Sequence, residues 1–514
     1  MAVPAQASSA RAATGREPVV AALSDTATKE FRMVAVTWAH AAPITGLVVD
    51  VRARVNGAWT SWQHLDSDPN EGPATGQETV VRDGTAPLWV GQADGVAVRM
   101  TSPSGQAPGD IKIVTINPGS DASVAASAAS ARGATTSTSV TSVTSSTPAS
   151  GAPITRAPRF PAMPQIITRA QWGADPKLGN QCWAPRYGSA AKMVFIHHTA
   201  GSNSYSAADS PAIVRSIYAY HTQSRGWCDI AYNFLVDKYG NIFEGRRGGM
   251  TKPVRGAHAG NYNTDSVGIS LMGNFDTAHV TARMANATVR LVGWRLGTSY
   301  MPVTGKVFIY DKRFNRISGH RDAMQTDCPG TYAYAWLPTL RKRVTGYLAR
   351  FHSPIAAKWS SIGGIRTTGQ VFIGEAHFAN GMRTVMHRGL MFWKAGDGAH
   401  YIPSSLLTVY RAYGGAPGVL GFPTADIRAA AASGWTKQLF EHGRTYLRTT
   451  ARRTTTFTFY GPILWEYRHE RYAGGKLGLP RSGVRNTTNG QRATFEHGVV
   501  TWDKSTNKIT ITYS

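Results

Sequence analysis

Between Gly119 and about Pro164 the composition changes sharply to Ser, Thr, Ala and Pro, with Thr135-Thr-Ser-Thr-Ser-Val-Thr-Ser-Val-Thr-Ser-Ser-Thr147 as its extreme. Such a stretch cannot bury enough apolar surface to offset the entropy of ordering its backbone, so it reads as a flexible tether and a domain boundary. The 514 residues are also too many for one ordinary core. The sequence therefore divides into a β-rich part (1–118), a tether (119–164), a mixed part (165–352) and a repetitive part (353–514).

The first part is expected to be an all-β sandwich. Phe31-Arg-Met-Val-Ala-Val-Thr-Trp38, Gly46-Leu-Val-Val-Asp-Val-Arg-Ala-Arg-Val55 and Ile111-Lys-Ile-Val-Thr-Ile116 carry the β-branched residues of strands. Asn56-Gly57 is a hairpin turn, and Trp59 and Trp62 behind it are expected in the core. The mixed part predicts an α/β fold. Lys192–His197 is a short apolar run that suits a buried strand, and Ser210-Pro211 caps a helix over Ala212–His221. Tyr232–Val236 and Asn241–Glu244 flank a hairpin, Ser266–Met272 is a strand, and Thr281–Leu296 is helical up to Gly297. In the last part Val419-Leu-Gly-Phe-Pro423 matches Lys476-Leu-Gly-Leu-Pro480, and Gly363-Gly364 marks a degenerate first copy. Phe378-Ala-Asn-Gly381, Phe440-Glu-His-Gly443 and Phe495-Glu-His-Gly498 keep the same phase. Three copies about 55 residues apart imply stacked or ring-like units that share a core.

Lys and Arg number 55 against 30 acidic residues, a formal charge of +25. That excess bears on partners and not on fold: nucleic acid, anionic membrane or anionic wall polymer. The basic residues are scattered singly and no nucleic-acid signature accompanies them. No stretch approaches the roughly 20 apolar residues of a membrane span, and no signal-peptide core is visible. The opening Met-Ala-Val-Pro-Ala-Gln-Ala resembles the small-residue tail of a cleaved signal, or else a disordered start.

Chemistry concentrates in the mixed part, in Ile196-His-His-Thr-Ala200, Asp229-Ile-Ala-Tyr-Asn-Phe234, Gly256-Ala-His-Ala259 and Gly319-His-Arg-Asp322 followed by Asp327-Cys-Pro-Gly330. A histidine at the end of a buried strand and a His/Cys pair in one loop suggest a metal. Nitrogen and thiolate donors suit zinc, and three of them leave a fourth position for water. Taken singly, a strand histidine is more often a packed side chain and a cysteine a small buried hydrophobe.

In order along the chain, Arg169-Ala-Gln-Trp-Gly173, the His-His-Thr strand, Gly226-Trp-Cys-Asp-Ile-Ala-Tyr-Asn-Phe234 and Gly240-Asn-Ile-Phe-Glu-Gly-Arg246 precede Gly256-Ala-His258, Gly268-Ile-Ser-Leu-Met-Gly-Asn274 and the Gly-His-Arg…Asp-Cys-Pro-Gly end. Together they resemble the peptidoglycan recognition proteins and the related zinc-dependent N-acetylmuramoyl-L-alanine amidases, over roughly 165–352. The resemblance implies one zinc ion on His197, His320 and Cys328. The resemblance also implies His197 and not His198, since the family's ligand is the first His where two adjoin; only one of two neighbours in a strand can face the site, so the choice matters. It further implies a catalytic role for Tyr232, a transition-state hydrogen bond from Thr326, and a muropeptide groove lined by His221, Trp227, Arg246, His258 and Asn274. Arg246 is expected to pair with a stem-peptide carboxylate. Arg247-Gly248 departs from the Gly-Trp of members selective for diaminopimelate, so the stem-peptide preference does not carry over. With Cys328 on the metal, Cys182 and Cys228 are expected to pair in an oxidising compartment.

The repeats resemble LGFP modules of exported actinobacterial wall enzymes, which implies wall attachment. The expected protein is a secreted peptidoglycan hydrolase whose partners are peptidoglycan and associated wall polymers. The alternative is a non-catalytic peptidoglycan-binding or wall-organising protein.

Overall fold

Five consecutive residues of the N-terminal part, Met33-Val-Ala-Val-Thr37, are all buried, although a strand with one face in water alternates. The reason is that both faces are covered. In the computed structural model, which describes residues 2–4, 17–67, 71–74, 82–119, 159–179, 184–430 and 432–514, they belong to β1 (Val19–Ala39). With β2 (Val48–Val55), β3 (Leu88–Thr101), β4 (Lys112–Ile116) and four short strands it forms one eight-stranded antiparallel sheet, register shifts interrupting the long β1–β3 ladder. Val34, Val36, Val51, Val98 and Ile113 fill the core of that sheet. Met33 and Trp89 point the other way, into a cluster with Trp172, Ile213, Ile217, Trp227 and Met272 of the mixed part. Residues 120–158 of the expected 119–164 tether lie outside the described residues, but the parts on either side share a core. They form one compact unit over Met1–Ala157 and Pro161–Phe351; Pro158–Phe160 and His352–Ser514 form a second.

The hairpin turn is as expected: Val55 pairs with Ala58, and Asn56 and Gly57 both have positive φ. The tryptophans behind it correct the expectation of a core position. Trp62 is 37% exposed with the guanidinium groups of Arg52 and Arg99 against its ring, and half-buried Trp59 carries Arg52 and Arg54. Arginine covers the rings in place of a second apolar layer.

The mixed part is built on β5 (Met193–His198), α1 (Ser210–Ala219), β6 (Phe234–Val236), β7 (Ile242–Glu244), β8 (Ser266–Leu271), α2 (Ala282–Gly297), β9 (Ile317–Gly319) and α3 (Thr331–Leu348). The sheet order is β7-β6-β8-β5-β9, antiparallel at β7 and parallel elsewhere, which makes it mixed as expected. Val194, Ile196, Phe234 and Val236 face a core shared with α2 and α3; Leu235 and Phe243 face α1. Two local readings shift by a residue or two. Asp209, not Ser210, is the residue before α1, and β6 begins at Phe234, so Tyr232 lies ahead of the strand. Among the described residues no helix is long and apolar enough to cross a membrane.

In the second unit the repeats become three four-stranded antiparallel sheets, spanning 371–403, 428–460 and 485–513. Helix α4 (Ser404–Ala412) follows the first sheet and α5 (Gly461–His469) the second. Leu420 and Phe422 join Phe392, Tyr410 and Phe440 in one core; Leu477 joins Phe459, Tyr467 and Phe495 in the next. The repeated phrases are thus the pieces that seal one sheet to its successor. Tyr410 donates to the Gly421 carbonyl at 2.9 Å, as Tyr467 does to Gly478 at 2.8 Å. Glu441 accepts the Phe422 N–H at 2.7 Å, as Glu496 accepts that of Leu479 at 2.8 Å.

Gly421 has φ +76°, and a Cβ there would lie 2.7 Å from the Glu441 carboxylate oxygen that holds Phe422. Gly421→Ala is therefore expected to destabilise this unit by about 2 kcal/mol. The urea midpoint of its unfolding should fall at unchanged slope. An unmoved midpoint would mean that the turn adapts freely.

Candidate metal centre

Strand alternation decides between the two adjacent histidines. Met193, Phe195 and His197 of β5 share one face, and His197 points to His258, His320 and Tyr232, with ring centroids 4.8, 4.6 and 5.5 Å away. His198 faces the other way and accepts the Phe275 N–H on Nδ1 at 3.3 Å. His320 stands just beyond β9, the neighbour of β5 in the sheet, and Cys328 lies in the loop that follows. Residues 123 and 131 positions downstream of His197 are thus carried to one point by adjacent parallel strands.

The donor atoms of His197, His320 and Cys328 all lie within 4.8 Å of one another, and all three residues are buried. Sγ of Cys328 is 3.7 Å from Nδ1 of His197. Tetrahedral zinc with bonds of about 2.0 to 2.3 Å sets its ligand atoms roughly 3.5 Å apart. The donor set suits zinc, and the 3.7 Å between Cys328 and His197 is close to that spacing. Burial, then the neighbouring His320, His258 and His198 rings, holds the His197 imidazole well below its usual range, so it is neutral, the form that binds metal. Cys328 is a thiol outside any disulfide, 8% exposed, and its sulfur accepts the His198 N–H at 3.4 Å.

Nε2 of His197 meets Nδ1 of His258 at 3.0 Å, an arrangement that fixes the orientation and tautomer of a ligating ring. His258 is fully buried, and burial, then His320 and Arg246, keeps it neutral as well. The Tyr232 ring also packs against His197, with centroids 5.5 Å apart. Burial, then the Glu71 charge, pushes its hydroxyl well above the usual phenol range, and the hydroxyl donates to the Glu71 carboxylate. The Thr326 hydroxyl oxygen accepts the Cys328 N–H at 3.0 Å. A cavity of about 700 Å³ opens beside the centre, lined by Cys328, Thr326 and His198 of the central domain and by His64, Asp66 and Glu71 of the N-terminal part.

Several expectations need correcting. Alternating strand positions would put Ile230, Tyr232 and Phe234 on one face; Tyr232 does cluster with Ile230, but Phe234 points into the core on the opposite face of the sheet. The residues expected to line the groove are covered. His221, Trp227 and His258 are each at most 2% exposed, and Arg246, 9% exposed, points Nη1 at the Ile230 carbonyl at 3.4 Å. Neither these four nor Asn274 lines the cavity; Asn274 is half-buried and reaches Asp66 at 3.4 Å. His221 accepts the Ala231 N–H at 3.2 Å and packs on Trp227. Glu71 and Asp66, which do reach the site, escape sequence reading because they come from the N-terminal part, across 161 and 208 residues from their partners Tyr232 and Asn274. Cys228 is disulfide-bonded, and Cys182 lies outside the described residues.

Residues 187–331 match the family model of N-acetylmuramoyl-L-alanine amidase, and residues 2–129 match one described as Rv3811 N-terminal galactose-binding domain-like. Peptidoglycan-recognition protein SC1a/b of Drosophila simulans is 33% identical over 169 residues, which are 33% of this chain and 82% of that protein. Peptidoglycan recognition protein 1 of Mus musculus is 33% identical over 171 residues, 33% of this chain and 84% of that protein. The solved structure of wild-type Drosophila PGRP-LB is 31% identical, covers 33% of this chain and 91% of its own, and has a TM-score of 0.28. With a galactose-binding-like domain before it and a series of sheet modules behind it, the central domain makes this chain a member of the peptidoglycan-recognition and N-acetylmuramoyl-L-alanine amidase family.

Proposed function

We propose that the protein is a zinc-dependent N-acetylmuramoyl-L-alanine amidase that hydrolyses the amide between the lactyl group of N-acetylmuramic acid and L-alanine of the stem peptide. The observation that carries this reading is the buried His197–His320–Cys328 cluster beside Tyr232. His197, His320 and Cys328 would hold the metal. The chemistry that zinc supplies in such a site is Lewis acidity, which polarises a carbonyl and lowers the pKa of water at the open coordination position to about 7.

The remaining steps belong to the chain's own residues. His258 holds the His197 ring in place through their 3.0 Å contact. Tyr232, protonated far above its usual range, donates a hydrogen bond to the scissile carbonyl oxygen as negative charge gathers there. Thr326 braces the loop of Cys328 through the Cys328 N–H. The water oxygen bonds to the lactyl carbonyl carbon, the C–N bond breaks, and one proton of that water passes to the alanine nitrogen, which leaves as a free amine. The repeats of the second unit, read as LGFP modules, attach the enzyme to the wall after export, and the +25 charge adds attraction to anionic wall polymers.

Purified peptidoglycan incubated with the protein should release peptides beginning at L-alanine, identified by mass spectrometry. Release should stop with a zinc chelator and return on adding zinc. Wall that sediments with the protein yet releases no peptide would sink the amidase reading in favour of a non-catalytic wall binder.

A further inference from the structure

A short piece of the N-terminal domain, Glu71-Gly-Pro-Ala74, lies along the central domain beside the metal centre. The Gly72 carbonyl accepts two hydrogen bonds of 3.1 Å, one from the Gly260 N–H and one from Nδ2 of Asn263. Pro73 forms a parallel bridge with Gly260. Gly72 has φ +143°, and a Cβ on it would stand 3.0 Å from the Trp227 ring, so only glycine lets the backbone come this close. Glu71 then presents its carboxylate to the Tyr232 hydroxyl. Extended peptides dock on proteins in this way, with main-chain bonds for hold and one side chain for register.

The contact is tied to the centre itself. Asn263 accepts the N–H groups of His258 and Ala259 at 2.7 and 2.9 Å, and His258 braces His197. Among the described residues the buried Trp227 indole nitrogen has no hydrogen-bond partner, so a different occupant could use this donor. Separate anchors keep the segment in position: Met33 and Trp89 in the shared core, Tyr220 donating to the Thr85 carbonyl at 2.6 Å, and Arg225 to that of Arg82 at 3.0 Å. A segment tethered so closely competes with a free ligand at high effective concentration.

Resting on the amidase reading, we propose that Glu71–Ala74 is an internal occupant of the stem-peptide groove: an acidic, extended mimic of the substrate that binds the edge formed by Trp227, Tyr232, Gly260 and Asn263. In the folded chain the segment lies against the buried Trp227 ring, with Gly72 at the point of contact. Substrate binds only the fraction of molecules in which the segment has swung out, so apparent affinity falls by that fraction and activity is slowed without being abolished.

The test uses the full chain and two variants, Glu71→Gln and Gly72→Val, the second forcing a branched Cβ toward Trp227. Binding of a soluble muramoyl tripeptide is measured by calorimetry and its cleavage by mass spectrometry, with thermal unfolding as the check on docking. Both variants are expected to bind about tenfold tighter and to cleave faster at low substrate concentration. Parental affinity in a folded variant overturns the occupancy, as does a slower Glu71→Gln with unchanged affinity, which would make Glu71 a catalytic carboxylate. Tighter binding without any cleavage keeps the occupancy and sinks the amidase reading. Parental binding with cleavage does the reverse.

Discussion

Serine in place of Cys328 is expected to cut stem-peptide release by about a thousandfold or more and to bring zinc content from near one per chain to near zero. The change is almost isosteric, so the loop and the sheet end that carry it should fold as before. What disappears is the thiolate. A serine hydroxyl does not ionise near neutral pH, and the contact 3.7 Å from Nδ1 of His197 becomes a neutral oxygen where a charged, soft donor stood. The His197 imidazole, held neutral by burial and its neighbouring rings, does not replace that charge. Metal analysis and mass spectrometry on the same preparation check both halves of the expectation. A serine variant that lacks zinc and cleaves at the parental rate removes Cys328 from the mechanism and the metal with it.

The family resemblance named His197, His320 and Cys328, whose donor atoms the fold brings together, and two local rules agree with that choice. Alternation in a buried strand lets only one of His197 and His198 face the site, and the His/Cys pair falls in one loop after a strand that can lie beside β5. Neither rule extends to the N-terminal domain. A segment as apolar as Met33-Val-Ala-Val36 announces burial on both faces without naming what covers the second, and here the cover is Trp172, Ile213 and Trp227 from beyond a Ser/Thr-rich stretch. The low-complexity run marks a boundary in composition, and composition says nothing about whether the domains it separates dock. Glu71 had no local signature at all: one acidic residue among turn formers reads as a solvated loop. Trp59 and Trp62 fail for a different reason. Arg52, Arg54 and Arg99 stack on them at the surface, a contact that hydrophobic patterning counts as charge and not as cover. In the repeats, the phrase that recurs proved to be the seam between sheets, since the turn glycine, the Glu that caps it and the Tyr that donates to it return together.

Phenylalanine in place of Tyr232 is expected to lower kcat by about a hundredfold while leaving zinc bound, because it deletes a hydrogen-bond donor and no metal ligand. The ring is buried against His197 and His221 with centroids 5.5 and 5.9 Å away, and phenylalanine keeps that packing. The same hydroxyl is what Glu71 holds, so the substitution also weakens the seat of the 71–74 segment. KM should therefore stay level or fall as kcat drops, a split that loss of simple substrate binding does not produce. Coupling to Glu71 follows: Glu71→Gln should tighten substrate binding less in the Tyr232→Phe background than in the parent, because the two changes break one contact and cannot add. Steady-state kinetics on the two single variants and the double variant, each with its zinc content measured, resolve the cycle. A Tyr232→Phe enzyme within twofold of the parental kcat would reduce Tyr232 to a packing residue and leave charge on the carbonyl oxygen to be met at the metal centre.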